Sequence, residues 1–246
     1  DVYKRQTVHQ LYRFKQHFDT VFIDEVEAFP LSMDPNLSLA IQTASKAIHS
    51  HIYMTATPPR QLIKQMSSHK VIKLPARFHR QPLPVPHFKH FKLNTSRVQS
   101  QLIHLFQAQI KQQRYTLVFF NHIETMKDAY HKYRAHIPNL ICVYSEDVYR
   151  FDKVEALRRG EHSIVFTTTI LERGFTMARL DVIVINAETF SKAALIQIAG
   201  RVGRKMEEPK GLVLFLHEGV SLSMIKAKKD ITEMNRLGYE RGWLDA

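Results

Sequence analysis

At 246 residues and 44% hydrophobic content, the chain is long enough for one large core or two smaller ones. Its 35 Lys and Arg against 23 Asp and Glu leave a formal charge of +12, which favours a polyanion such as nucleic acid or an anionic membrane face. The lone cysteine, Cys142, excludes a disulfide framework and a cysteine-based zinc site within these residues; no apolar run spans a membrane and no signal-peptide pattern opens the chain.

The first six residues are polar where an α/β domain opens on an apolar strand, and read as a sequence boundary. Apolar runs then predict strands over 20–23 and 51–54, with a helix over 37–47 between them. Next comes Leu74-Pro75-Ala76-Arg77-Phe78-His79-Arg80-Gln81-Pro82-Leu83-Pro84-Val85-Pro86. Prolines at alternate positions continue neither a helix nor a central strand, so this stretch reads as an extended connector and marks the domain boundary. Beyond it, runs over 116–120, 140–144, 163–167, 182–186 and 212–216 read as buried parallel strands. Amphipathic helices are expected over 96–111, 123–133, 148–159 and 192–199, with a last basic helix over 222–236. This alternation is the βα signature of a parallel sheet. The expected division is 1–80 for a first domain, 81–95 for a Pro-rich basic linker and 96–246 for a second domain. Cys142, within Leu140-Ile141-Cys142-Val143, reads as a small buried hydrophobe.

Four segments carry chemistry, and each follows a predicted strand or helix. Asp24-Glu25-Val26-Glu27 follows the apolar Val21-Phe22-Ile23: Asp24 suits Mg²⁺, and Glu25 suits orienting and deprotonating a water. Alone, such a pair is equally well a solvated loop. Thr55-Ala56-Thr57 closes the next strand; it is an ordinary hydroxyl turn before proline, or a relay from the acid loop to a bound strand. Thr167-Thr168-Thr169-Ile170-Leu171-Glu172-Arg173-Gly174 offers hydroxyls and a glycine for close backbone approach to phosphate, against the plainer reading of a Thr-rich βα turn. Gln197-Ile198-Ala199-Gly200-Arg201-Val202-Gly203-Arg204 interleaves two glycines with two arginines, whose planar forks match phosphate oxygens bidentately. A helix ending in glycine explains part of that pattern but not the interleaving. No G-x-x-x-x-G-K-[ST] phosphate loop occurs in the sequence.

Taken in order, 24–27, 55–57, 167–174 and 197–204 resemble motifs II, III, V and VI of superfamily-two helicases. Phe119-Phe120-Asn121 resembles motif IV, and Thr7-Val8-His9-Gln10-Leu11 resembles the motif Ib segment that touches the nucleic-acid backbone. D-E-V-E-A-F-P, T-A-T-P-P, Y-S-E-D-x-x-R, T-T-T-I-L-E-R-G and Q-I-A-G-R-V-G-R together are most similar to the ComFA family of late competence proteins of Gram-positive bacteria. One departure is Glu27, where that family more often has Asp.

The resemblance implies an α/β fold with two RecA-like parallel-sheet domains of a superfamily-two helicase, the first incomplete. It implies an ATPase dependent on single-stranded DNA, working at the cytoplasmic face of the membrane with other DNA-uptake proteins. ATP and Mg²⁺ are the implied cofactors, with zinc expected only in an upstream four-cysteine module outside these residues. Asp24, Glu25, Arg201 and Arg204 are the implied catalytic residues; Asp24 and Glu25 bind Mg²⁺ through ATP, and Gly174, Gln197, Arg201 and Arg204 face the nucleotide. Glu27, Thr55 and Thr57 would couple the sites. Thr7, His9, Gln10, Thr57, Asn121, His122, Ser145 and Thr168 are the candidate nucleic-acid contacts, with no base reading. Phe88, Phe91, Tyr149 and Phe151 could stack on bases or serve as packing, and His87 with His90 makes no convincing metal pair. A primosomal or repair helicase of the same superfamily is a second reading, and a non-hydrolysing nucleic-acid-binding module a third.

Overall fold

The computed structural model describes residues 3–27, 31, 34–66, 70–168 and 175–245. The chain divides into two compact units, 1–73 and 74–246.

In unit 1, a 3-10 helix (Val8–Arg13) leads to strand β1 (Phe18–Asp24), helix α1 (Pro35–Ala44), strand β2 (Ser45–Met54) and the short helix α2 (Arg60–Gln65). Helix α1 starts where Asp34 accepts from the Asn36 amide and Pro35 supplies a pre-set φ at the first turn. The helix expected over 37–47 stops at Ala44, and 45–47 already belong to β2. Two contacts account for this. The Ser45 hydroxyl donates to Ile41 O at 2.7 Å and closes the last turn, and Lys46 pairs at 2.8 Å with Asp19 of β1. Strands β1 and β2 are parallel, with Ile23 opposite Tyr53 and Asp24 opposite Met54. Leu11, Ile23, Ala40, Ile41 and Ala44 form the unit's core.

Unit 2 is built on a six-stranded, wholly parallel sheet. Its strands are β3 (His87–His90), β4 (Tyr115–Phe119), β5 (Ile141–Val143), β6 (Ile164–Thr167), β7 (Leu180–Val184) and β8 (Val213–His217), in spatial order β3-β8-β7-β4-β6-β5. Helices α3 (Ser100–Lys111), α4 (Ile123–Tyr133), α5 (Arg150–Arg158), α6 (Lys192–Ala199) and α7 (Leu222–Glu240) cover both faces. Alternate strand residues divide between two cores. Leu117, Phe119, Val182, Val184 and Phe215 pack with Leu157, Leu195, Ile198 and Ile231; Val118, Phe120, Phe166, Ile183 and Leu214 pack with Leu102, Phe106, Met126 and Tyr133. A sheet buried on both sides is why its strands read as unbroken apolar runs.

The stretch expected to be a linker, 81–95, lies in unit 2 and contains the edge strand β3, paired in parallel with β8. The proline run 82–86 belongs to no helix or strand, as residues without N–H donors favour. Leu83, between two of those prolines, has both backbone groups satisfied by one side chain: its N–H donates to Asn235 Oδ1 and its carbonyl accepts from Asn235 Nδ2, each at 2.8 Å. That amide clasp fastens the run to α7.

Candidate functional site

In unit 1, the acid loop leaves the carboxyl end of β1, where open α/β sheets bind ligands. Asp24 is exposed, and its Oδ1 accepts from the Glu25 amide at 2.9 Å. Glu25 has φ of 49°, a left-handed conformation uncommon outside glycine and often found at functional turns. Asp24 and Glu25 are carboxylates of the kind that Mg²⁺ takes one or two of, completing its shell with water and phosphate. Glu27 turns to the Thr55–Thr57 segment: the Thr57 hydroxyl donates to Glu27 Oε1 at 3.1 Å, and the Thr57 amide donates to Thr55 Oγ1 at 3.0 Å. The longer acid at position 27 thus reaches the hydroxyl segment. Thr57 itself is buried, so its side chain serves this internal bond. Thr7, His9 and Gln10 lie at the 3-10 helix; Thr7 and His9 are exposed and Gln10 is half-buried, while Leu11 anchors the turn in the core.

In unit 2, Asn121 and His122 follow β4, Ser145 follows β5, and Thr168 follows β6. The neighbouring order β5-β6-β4 puts all four at the carboxyl edge of three adjacent parallel strands. Asn121, His122 and Ser145 are exposed there, and Thr168 is buried. The turn after β5 is internally built: Asp147 Oδ1 accepts from the Tyr149 amide at 3.0 Å, its Oδ2 pairs with Lys153 at 2.6 Å, and Arg150 donates to Ser145 O at 2.9 Å. Of the four candidate stacking residues, Phe91 is core and Phe88 is half-buried, stacked on Phe215 at 5.8 Å. Tyr149 and Phe151 are exposed, with Arg150 over the Phe151 ring at 4.6 Å. Of the Thr-rich segment, 169–174, including Gly174, lies outside the described residues.

The arginine segment begins on α6, a helix that Ser191 caps by accepting from the Ala194 amide and that ends at its C-cap Gly200. Its two arginines differ. Arg201 is 1% exposed, with Nη1 donating to Phe175 O at 3.0 Å, so it does not project into a cleft beside Arg204. Arg204 is exposed and folded back, its Nε donating to Gly200 O at 2.9 Å. Gln197 is buried on α6. Gly203 has φ of +65°, and a Cβ there would sit 2.0 Å from Pro209 O, so that position requires glycine. Gly200, with φ of −62°, has no such backbone demand.

Two side chains on the segment expected to be a mere connector also reach this loop. Arg77 donates to Val202 O at 2.6 Å and to Gly200 O at 2.9 Å, and His79 Nε2 lies 2.9 Å from Gly203 O. Burial, with the Arg204 charge beside it, lowers the Arg77 pKa to about 10. Spacing could have flagged the pair, because residues two apart in an extended segment share a face. Among the described residues, no group of three or more His, Cys, Asp or Glu comes together as a metal site, and His87 and His90 are exposed on the edge strand.

Residues 97–206 match the helicase conserved C-terminal domain. The chain is 37% identical over 94% of its length to the competence protein ComFA of Bacillus subtilis, and 37% identical over 94% to that of Streptococcus pneumoniae. It covers 52% and 56% of those two proteins and thus spans about half the length of the curated relatives it matches. A transcription-repair-coupling factor of Helicobacter pylori is 25% identical over 89% of the chain, which covers 21% of that protein. Among solved structures, S. cerevisiae Dbp5 bound to RNA and ADP BeF3 superposes with a TM-score of 0.61 at 14% identity, over 92% of this chain and 60% of that one. Mycobacterium smegmatis helicase Lhr bound to ssDNA and AMP-PNP gives 0.57 at 18% identity, over 94% and 32%. The fold is that of superfamily-two helicases, and the resemblance to ComFA read in the motifs extends over nearly the whole chain.

Proposed function

We propose that this chain supplies the acid, coupling and arginine elements of an ATP-driven single-stranded-DNA motor for uptake of transforming DNA. Likeness to ComFA along 94% of the chain carries this reading. The carboxyl-edge placement of Asp24, Asn121, Ser145 and Thr168 agrees with it. ATP with Mg²⁺ supplies the phosphoryl group whose transfer drives the motor. Asp24 and Glu25 would hold the metal and orient an attacking water, and Arg204 would meet negative charge on the phosphate. Arg201, being internal, fixes the loop from below. The +12 charge and the exposed Asn121, His122 and Ser145 follow the DNA backbone without reading bases. No described helix is long and apolar enough to cross a membrane.

The 246 residues contain no lysine-bearing phosphate loop, so by themselves they turn over no ATP. They bind single-stranded DNA weakly and without sequence preference. Each phosphate neutralised contributes about −0.7 to the log–log salt slope, so four contacts weaken binding by almost 10³ over a tenfold rise in salt. Fluorescence anisotropy across a salt series measures this. A flat response, or equal affinity for an uncharged-backbone analogue, removes the DNA assignment.

A further inference from the structure

Residues 74–80 are the first of unit 2 and continue directly from unit 1. From this segment two side chains hold three of the four carbonyls between Gly200 and Gly203. Arg77 spans Gly200 O and Val202 O with separate nitrogens, and His79 reaches Gly203 O. The direction of the His79 bond follows from its other nitrogen. Nδ1 accepts from the Gln81 amide at 3.2 Å, so Nε2 carries the proton and donates to Gly203. Carbonyls of a turn just past a helix, like those of its last turn, have no partner within the helix and need one from water or a side chain. Here a guanidinium and an imidazole do so instead, at the cost of their desolvation. From the other side, Pro209 O closes on Gly203 so tightly that no side chain fits.

A second observation concerns charge. The Arg204 Nε donates to the same Gly200 oxygen that Arg77 Nη2 holds, both at 2.9 Å. Two permanent cations therefore converge on one carbonyl. That repulsion disfavours the folded-back position of Arg204 and is relieved when Arg204 swings away toward an anion.

We infer that Arg77 and His79 are positioning residues. They fix the main chain of the arginine loop so that Arg204 is presented to a nucleotide phosphate, and they tie that loop to the segment by which the chain leaves unit 1. The inference rests on the nucleotide-facing reading of Arg204. Its geometric part is testable without activity.

In the 246-residue chain, hydrogen exchange is followed at the amides of 201–205 and of strands β4 and β7. Arg77→Ala and His79→Ala should speed exchange at 201–205 tenfold or more and leave the two strands protected. His79→Gln keeps an N–H donor and should restore most of the protection. Arg80→Ala is the control in the same segment, because Arg80 is exposed and pairs with Asp245 rather than the loop. In the full-length protein, Arg77→Ala should lower the kcat of DNA-stimulated ATP hydrolysis at least tenfold at nearly constant KM for ATP. Arg77→Lys, which keeps the charge and one donor, should recover part of it. If Arg77→Ala fails to fold, the His79→Ala and His79→Gln pair carries the test. Unchanged exchange at 201–205, uniform loosening of β4 and β7, or an unchanged kcat in an active enzyme would each overturn the positioning role. A full-length wild type without DNA-stimulated turnover would instead overturn the reading of Arg204, whatever the exchange shows.

Discussion

The two units solve the same problem, a parallel sheet, to different extents. In unit 2 both faces are covered, and the central strands β4, β6, β7 and β8 are buried almost throughout. In unit 1 the described residues cover one face only. On the other, Phe22 is 63% exposed and its cross-strand partner Ile52 is 40% exposed. The acids that would do chemistry stand on the less finished sheet, and the arginines on the self-sufficient one. The Glu27–Thr57 bond ties the acid loop to the hydroxyl segment after β2.

The sharpest break of that contrast is all-or-none. Residues 74–246 expressed alone should unfold in one cooperative transition in a urea titration followed by circular dichroism, and residues 1–73 alone should show none. A two-stranded sheet with a small core is marginal in water. A cooperative transition for 1–73 would erase the distinction.

Next in size is Arg204→Ala in the full-length protein. An arginine that meets charge on a departing phosphate is worth roughly 10³–10⁵ in rate. Turnover should fall by that order while single-stranded-DNA affinity holds. The exposed neighbour in Lys205→Ala should be nearly silent. Steady-state ATPase kinetics decide, and a variant retaining more than about a tenth of wild-type turnover, a deficit under 1.4 kcal/mol, refutes the role.

Arg201→Ala should act on folding more than on phosphate. It removes one of the largest fully buried side chains in unit 2, so a loss of about 2–5 kcal/mol is expected in denaturant titration. An undiminished stability with lost nucleotide affinity would restore Arg201 to the cleft. The smallest effect falls in unit 1: Thr57→Val forfeits the bond to Glu27, for about 1 kcal/mol, seen as faster exchange of the acid-loop amides. No change there would mean that the loop is ordered without the hydroxyl.

The sequence was most legible where one local rule governs. Helices α4 and α6 fall on their expected bounds, and the buried strands of unit 2 are shifted by one or two residues at most. Where two rules compete, reading failed. The run 45–47 has helical composition, but Ser45 closes α1 and Lys46 is claimed by Asp19 across the sheet. Alternating prolines signalled extension, but not that Asn235, about 150 positions later, would clasp Leu83 into unit 2. In the site, a pattern of glycine and arginine shows that a loop is special, but not that Arg201 turns inward while Arg204 turns out. That choice depends on Phe175 O and the core beneath, which no spacing encodes.

Cys142 lies on β5, the outermost strand of the unit 2 sheet, with β6 as its one strand neighbour. Burial raises its thiol pKa, and its main-chain oxygen accepts from Lys153 at 3.2 Å. Only the thiolate attacks a thiol reagent, so labelling waits until the strand edge parts from β6 and water enters. Because it is the sole cysteine, one labelling rate times that opening without any engineered probe. The same opening would carry away Ser145, two residues beyond the strand's end, so this thiol is a natural clock on the rim where DNA contact is proposed.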